Sequence, residues 1–401
     1  MNKNELSFLQ RSVFGWVPKS AEELILNRLR FYPDVPQNDY EFAKMIEALA
    51  DTAKREDNAS LYSALNVYGA ALNMVLEDPK YKILLVSTAS ILTPPDRYGG
   101  MERMVAYLAE ALREMGNDVG VIAKTGSSVP GLVGSAKNEM DFPEVARKVI
   151  DDFDIILDFS HDKRIGRTFP DNPQANVYQV MTVGWKKNPV YISQAQRQHI
   201  GVDGPVIYYG LNKIDYPIGE KDFSDPYLLY MGSIIPEKRV EWSLAVAELL
   251  GMSVKIAGPS WTPDYFDNVV KPLIEEKDFA HYVGDVGGQE KLELLQRAAA
   301  LIHPVGGEGW VEAGAIVVQE AMSVGTPVIG STNGCLPEYI KGMQNGVMGE
   351  TPDEMSGKAR ALFEMGYNPD RVRKSVSHLS SLSMAWDYLD LIADVLDGED
   401  W

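Results

Sequence analysis

Residues 81–123 read YKILLVSTASILTPPDRYGGMERMVAYLAEALREMGNDVGVIA. KILLVST is a continuous apolar run of strand length, the pattern of a parallel strand covered on both faces. A loop punctuated by proline and glycine follows, ASILTPPDRYGG. MERMVAYLAEALREMG then sets Met104, Val105, Leu108, Leu112 and Met115 on one helical stripe, with Gly116 as its stop. DVGVIA is the next strand. Strand, loop, helix and strand in that order form the first unit of a doubly wound α/β sheet.

The same alternation extends outward. DIILDFS, NVYQVMTV and PVIYYG continue the strands to about residue 210. After the proline-marked stretch DYPIGEKDFSDP the series restarts with the strand YLLYMGS. The helix PEKRVEWSLAVAELLG follows, with Pro236 near its start and Gly251 after its end. SVKIAG, AHYVGDV, LIHPV and TPVIGS read as strands. EKLELLQRAAAL and IVVQEAMSVG read as helices, and GCLPEYI as a turn into a helix. Two such sheets facing one another leave a cleft at the carboxyl ends of their strands. Residues 1–80 are different in kind. SAEELILNRLRF, with Ser20 as a cap, DYEFAKMIEALADTAKRE and ASLYSALNVYGAALNMVL carry helical spacing only, and their stripes call for burial, against the first sheet as a brace, as a cap over the acceptor, or against a partner or second copy. The final run, SMAWDYLDLIADVL, places Met384, Tyr388, Leu389 and Ile392 on one face. The expected division is a helical extension over 1–80, a first Rossmann-like domain over 81–215 and a second over 216–375. The last helix, over 376–401, is expected to cross back to the first domain.

Composition narrows the function. The 401 residues are 45% hydrophobic and 24% charged, a globular balance. The one cysteine, Cys335, excludes an internal disulfide and a cysteine zinc site and fits a reducing compartment. No apolar run approaches the roughly 18 residues of a membrane span, and MNKNELSFLQ lacks the apolar core of a signal peptide, so the expected location is the cytoplasm. A net charge of -19 argues against nucleic-acid binding. Residues 216–401 hold 29 of the 57 acidic residues and 14 of the 38 basic ones. Only the middle of the chain, with Lys163, Arg164, Arg167, Lys186 and Lys187, offers a basic face for peripheral membrane contact, and a solvated face is the plainer reading.

The richest chemistry lies in GEGWVEAGAIVVQEAMSVGTPVIGS, residues 307–331. Glu312 falls in the loop before a helix and Glu320 about two turns inside it. Gly314 lets the backbone approach a ligand at the helix N-terminus. The N–H groups of Gly314, Ala315, Ile316 and Val317 are free to hold phosphate or sugar oxygens. Two carboxylates are acceptor-only groups suited to vicinal hydroxyls.

This segment resembles the glutamate–seven–glutamate signature of the family-4 retaining glycosyltransferases, the glycogen-synthase-like group 1 enzymes. YGGMERMVAYLAEALREMGNDVGVIA resembles their first loop and helix. YMGSIIPEKRVEWSLAVAELL resembles their glycine–arginine and proline–glutamate–lysine–glycine element, and YVGDVGGQEKLELLQRAAALIHPV the run before the glutamates. The likeness covers about residues 81–395. It implies the GT-B fold, two Rossmann-like domains facing a cleft. It also implies a hexosyltransferase-type activity in carbohydrate biosynthesis, moving a sugar from a nucleotide diphosphate to an acceptor hydroxyl with retention. Glu312 would contact the donor sugar, Glu320 the ribose hydroxyls and Lys238 the diphosphate. Gly99 and Gly100 would close on the donor or acceptor, Gly232 and Ser233 would flank the phosphates, and Val283 and Gly284 the nucleobase.

Three departures stand out. The family's arginine after Gly232 is Ser233, and Arg239, beside Lys238, is the candidate replacement. His161, in DIILDFSHDK, is the candidate for a strand-end catalytic histidine, one position beyond the usual place. A second histidine expected near MTVGW is absent. No metal-ligand cluster and no cofactor is expected, a UDP- or GDP-sugar being the co-substrate. The acceptor is open: a saccharide, a lipid-linked sugar or a small molecule. So is oligomeric state. The alternatives are another GT-B nucleotide-sugar enzyme, such as an epimerase, and a non-catalytic protein that binds a nucleotide sugar. A phosphorylase lacks its pyridoxal lysine context here.

Overall fold

The computed structural model describes residues 25, 39–56, 58–77, 80–181, 187–219 and 224–401. Most of SAEELILNRLRF, including Ser20, and also Lys186 lie outside the described residues. Two antiparallel helices open the described chain, α1 (Asp39–Arg55) and α2 (Ala59–Glu77). Their stripes meet: the Phe42 and Tyr68 rings pack edge to face at 6.2 Å, and Ile46, Leu49, Leu61 and Leu65 are buried around them. Asn58 accepts the Leu61 N–H at 3.1 Å and so caps α2. These side chains join the same continuous apolar cluster as Ile83, Leu85 and Leu108, so the stripes find their burial within the chain.

Two six-stranded sheets follow, and every strand pair in them is parallel. The first has the order β3-β2-β1-β4-β5-β6, with β1 Lys82–Val86, β2 Asp118–Lys124, β3 Leu132–Ala136, β4 Ile155–Asp158, β5 Gln174–Val177 and β6 Pro189–Val190. Ile83 sits opposite Val119 on one side and Ile155 on the other. Helix α3 (Gly100–Glu114) follows β1, buries Met104, Val105, Leu108 and Leu112, and ends ahead of Gly116 at φ 90°. The second sheet runs β12-β11-β10-β7-β8-β9, with β7 Tyr227–Met231, β8 Ser253–Ala257, β9 Ala280–Gly284, β10 Ala300–His303, β11 Val328–Gly330 and β12 Gly346–Met348. This is the two-sheet α/β architecture that the alternation predicts.

One expected strand is not there. PVIYYG contributes only an isolated bridge, Tyr191 to Val206. Pro205 has no N–H for a ladder, and the two tyrosines serve other partners: Tyr209 donates to Gln179 at 2.8 Å and Tyr208 to Glu338 at 2.6 Å.

The two halves are tied together at several places. The last helix, α9 (Ser381–Leu396), packs against α3, with Tyr388 beside Phe159 at 5.8 Å. Leu211 exchanges backbone hydrogen bonds with Leu379 and Ser381 at 3.1 and 2.9 Å. Glu338, on the short helix α8 (Leu336–Tyr339), reaches the N-terminus of helix α4 (Gln194–Ile200), which follows the first sheet. There it accepts the N–H groups of Ala195 at 2.8 Å and Gln194 at 3.0 Å. A carboxylate at a helix N-terminus also gains from the aligned peptide dipoles. Replacing Glu338 with Ala should cost about 2 kcal/mol, since charged hydrogen bonds to the helix end are lost, although the Ser193 cap remains. A thermal midpoint unchanged from wild type in a melting experiment would show that this contact holds nothing together.

Candidate functional site

The carboxyl ends of both sheets open onto one cleft of about 510 Å³. Its first wall is the loop from Ser90 to Arg103 with His161, Gln179 and Tyr209. The opposite wall is built from Gly232, Ser233, Lys238, Trp261, Asp285, His303 and the segment from Trp310 to Glu320.

Helix α7 (Ile316–Ser323) carries the glutamate segment. It opens at Ile316, so Glu320 lies little more than one turn inside it rather than two. Both carboxylates are nonetheless buried in the cleft wall, Glu312 at 6% and Glu320 at 2% exposure. Glu312 takes a short hydrogen-bonded ion pair from Lys238 Nζ. Burial works most strongly against its charge, but Lys238, His303 and Trp310 together outweigh burial and the carboxyl is held below its usual range. Asn333 Oδ1 accepts the Glu312 N–H at 2.9 Å and fixes the loop. The Lys238 ammonium also lies over the Trp310 ring at 5.7 Å.

Glu320 is held through one oxygen. Oε1 accepts from Tyr216 at 2.7 Å and from Lys291 Nζ at 2.5 Å, and Arg103 Nε lies 4.0 Å away. Lys291 comes from helix α6 (Gly288–Arg297), and burial lowers its pKa against the opposing pull of Glu320. Arg103 comes from α3 in the other half. It also donates to the carbonyl of Arg97 at 2.9 Å, so one guanidinium ties the glycine loop and the far wall together.

The glycines have separate reasons. Gly99, at φ 143°, is the N-cap of α3, and a Cβ there would meet the Pro95 side chain at 2.7 Å. A Cβ on Gly100 would meet Ile316 at 2.7 Å, and one on Gly314 would meet Ile192 at 2.6 Å. Gly314 is thus required by packing between the two halves as well as lining the cleft. Among the N–H groups expected to be free, those of Gly314, Ile316 and Val317 have no backbone acceptor in the structure, whereas that of Ala315 is turned toward the Cys335 sulfur.

Other expectations need correction. Arg239 does not line the cleft. It sits at φ 49° between a short 3-10 turn and helix α5 (Val240–Leu250), with its guanidinium 4.3 Å from the Trp242 ring centroid. It cannot stand in for the arginine missing at Ser233 from there. Val283 and Gly284 lie just behind the wall, where their neighbours Asp285 and Val286 take the lining positions. Lys163 is no surface cation. It is 2% exposed, its Nζ donates to the carbonyls of Asp158 and Val177 at 2.9 and 2.7 Å, and burial lowers its pKa to about 8. Arg164 pairs with Asp162 at 3.0 Å. His161 does line the cleft, 2.9 Å from Glu139, whose hydrogen bond raises its pKa.

Sequence reasoning missed Arg103, Lys291 and His303. The first two sit on helices read only for their apolar stripes. His303 ends a parallel strand, LIHPV, and a strand's carboxyl end is where such folds place ligands. That position was its signal.

Comparisons with known proteins agree with this geometry. The family model for glycosyl transferases group 1 matches residues 215–376, the segment that holds Glu312, Glu320, Lys238 and Lys291. That segment is similar to the group 1 glycosyl transferases. An uncharacterised glycosyltransferase of Methanocaldococcus jannaschii is 29% identical over 184 residues, 40% of this chain and 45% of that protein. O-antigen chain mannosyltransferase B of Escherichia coli is 29% identical over 120 residues, 28% of this chain and 30% of that protein. The matches therefore span less than half the length of these curated relatives. Among solved structures, the glycosyltransferase AviGT4, involved in avilamycin A biosynthesis, is similar over 80% of this chain and 99% of its own, with TM-score 0.66 and 29% identity. HepE of Anabaena in complex with UDP and glucose shares the fold at TM-score 0.58 and 13% identity, over 78% of this chain and 99% of that one. The fold is GT-B. Among the described residues no helix is long and apolar enough to cross a membrane, and no group of three or more His, Cys, Asp or Glu could hold a metal ion.

A buried imidazole in this cleft makes a pH prediction. His303 is 2% exposed, and burial, seconded by the Lys238 charge, lowers its pKa to about 4. Above pH 6.5 the ring is neutral in folded and unfolded chains alike and contributes nothing. As pH falls from 6.5 toward 4, the unfolded chain takes up a proton that the folded one refuses, so stability is lost. Between pH 7 and 5.5 the loss from this group should be about 1 kcal/mol. Urea unfolding at the two pH values should show it in wild type and show it diminished in His303→Gln.

Proposed function

We propose that the chain transfers a sugar from a nucleotide diphosphate to an acceptor hydroxyl, with retention at the anomeric carbon and without a metal ion. The observation that carries this reading is the paired arrangement at 312 and 320. Two buried carboxylates flank one helix N-terminus, each with a lysine beside it, and a second helix N-terminus, at Gly100, faces them across the cleft. Such a site offers acceptors for hydroxyls and positive charge for phosphates within one crevice.

In this reading Glu312 holds the transferred sugar near its reacting face and Glu320 holds the ribose through Oε2, since its described partners all engage Oε1. Lys238 and the N–H groups of Gly314, Ile316 and Val317 meet the diphosphate. Their fixed dipoles stabilise the charge that grows on the leaving phosphate, a task for which no reorganisation is needed at the moment of reaction. The leaving phosphate oxygen takes the acceptor's proton as the acceptor attacks the same face. Gly99 and Gly100 bring α3 onto the donor and exclude water. Gly232 and Ser233 border the phosphates, and Asp285 and Val286 replace Val283 and Gly284 as the wall nearest the base. His161, oriented by Glu139, stands on the acceptor wall. The donor is a UDP- or GDP-sugar. A chain whose one cysteine is a buried thiol is suited to the cytoplasm.

A panel of UDP-, GDP- and ADP-sugars, followed for donor turnover, tests the reading. Turnover of one class is expected, with Glu312→Ala lowering it about 100-fold or more and Lys238→Ala weakening binding of the matching nucleoside diphosphate. An epimerised sugar from donor alone would instead favour an isomerase on this fold. Full turnover in Glu312→Ala would remove the role given to that carboxylate.

A further inference from the structure

Strands β8 and β9 lie side by side, with Ala257 opposite Gly284, so the loops that leave them reach the cleft together. Gly258 and Trp261 belong to the first loop, Asp285 and Val286 to the second, and each lines the cleft. Tyr282 ties the loops, its hydroxyl donating to the Gly258 carbonyl at 2.9 Å. Asp285 differs from Glu312 and Glu320, which are each paired with a lysine. It is half-buried and has no hydrogen bond or ion pair among the described residues, and neither of its oxygens is closed off from solvent. Its charge is among those acting on Lys291, the lysine that holds Glu320. The free carboxylate therefore stands at the Glu320 end of the cleft, the end given to the ribose, where the base of a nucleotide begins.

The form of the group limits its ligand. A carboxylate only accepts hydrogen bonds, and its two oxygens accept in parallel from two donors set side by side. Guanine carries such a pair on one edge, the ring N1–H and the neighbouring N2 amino group. Uracil offers one N–H between two carbonyl oxygens, which a carboxylate repels. The amino group of adenine stands between two bare ring nitrogens, which are repelled in the same way. A site built to bond particular polar groups rejects a ligand that lacks them far more strongly than an apolar wall does. Trp261 is 55% exposed and meets the Tyr98 ring at 5.7 Å. It adds an aromatic face on which any base can stack, and so does not choose among them. The choice falls to Asp285.

We propose that Asp285 reads the base of the donor and that this base is guanine, which makes the donor a GDP-sugar. This rests on the reading of the cleft as a nucleotide-sugar site, and the two can fail separately in one experiment. The full chain is titrated calorimetrically with the diphosphates of guanosine, inosine, xanthosine, uridine and adenosine. Inosine lacks only the N2 amino group of guanosine, and xanthosine carries a carbonyl oxygen in its place. Wild type should bind GDP about tenfold more tightly than inosine diphosphate, and more tightly than UDP or ADP. Asp285→Ala should weaken GDP by about tenfold or more and bring it within about twofold of inosine diphosphate. Asp285→Asn should weaken GDP and strengthen xanthosine diphosphate, because the amide accepts from N1–H and donates to the added carbonyl. A wild-type preference for UDP or ADP would overturn the guanine assignment and leave the nucleotide-sugar reading standing. GDP binding left unchanged by both substitutions would overturn the role given to Asp285. If wild type binds none of these nucleotides, the nucleotide-sugar reading falls first and the proposal with it.

Discussion

The site depends on how closely two helices meet end to end. Gly100 opens α3 against the Ile316 side chain at the start of α7, and Gly314 lies against Ile192 of the first half. A single methyl group at either glycine would press into a packed side chain at well under van der Waals distance. Both contacts join the two sheets, so the glycines set the width of the cleft as well as its chemistry. With the ends this close, two positive helix poles point into one space. A crevice with that field is suited to an anion, and the lysines at 238 and 291 deepen it.

The carboxylates keep such a crevice stable without a ligand. Two lysines and an arginine, all mostly shielded from solvent among helix N-termini, would repel one another, and Glu312 and Glu320 offset that charge. Each therefore has a structural duty as well as a chemical one. Breaking a buried pair by removing one partner is far costlier than losing a surface ion pair. Removal of Lys238 would strand Glu312 in the wall, so binding and stability are coupled at this point. Arg103 adds a second coupling. Its guanidinium holds the Arg97 carbonyl in the glycine loop while standing 4.0 Å from Glu320, so the loop and the far wall are ordered together.

The elements that were legible in the sequence are those buried on both faces. β1, β2, β4, β7 and β8 announce themselves as apolar runs because each lies inside its sheet. The edge strands β3 and β12 do not, since LVGSA has only Ala136 buried and GVM is three residues long. PVIYYG misleads in the opposite way. Its residues are apolar because Ile207 and Tyr209 fill the space under the cleft, not because they pair in a ladder. The same distinction governs the site. Glu312, Glu320, Gly314 and Lys238 sit in short local patterns, and local patterns can be read. Arg103 comes from α3, far along the chain from Lys291 of α6 and His303 of the strand that follows it. No spacing encodes their meeting, which arises only when the sheets face one another.

The Ser233 position shows how tertiary structure alters a conclusion drawn from neighbours in sequence. Arg239 is six positions on and beside Lys238, so it invites the role of a replacement cation. The backbone at Arg239 is left-handed, and its guanidinium lies over Trp242 and against Gly306. The cations that reach the cleft in addition to Lys238 include Lys291, from a helix more than fifty residues downstream, and Arg97 and Arg103, from the other half of the molecule. Lys291 and Arg103 are the two that stand beside Glu320. Their charge is placed at Glu320 rather than at Glu312. The positive field of the cleft is thereby extended along its length instead of being concentrated at Ser233. A ligand with charge near its middle and hydroxyls at both ends is the one such a field would hold in a single register.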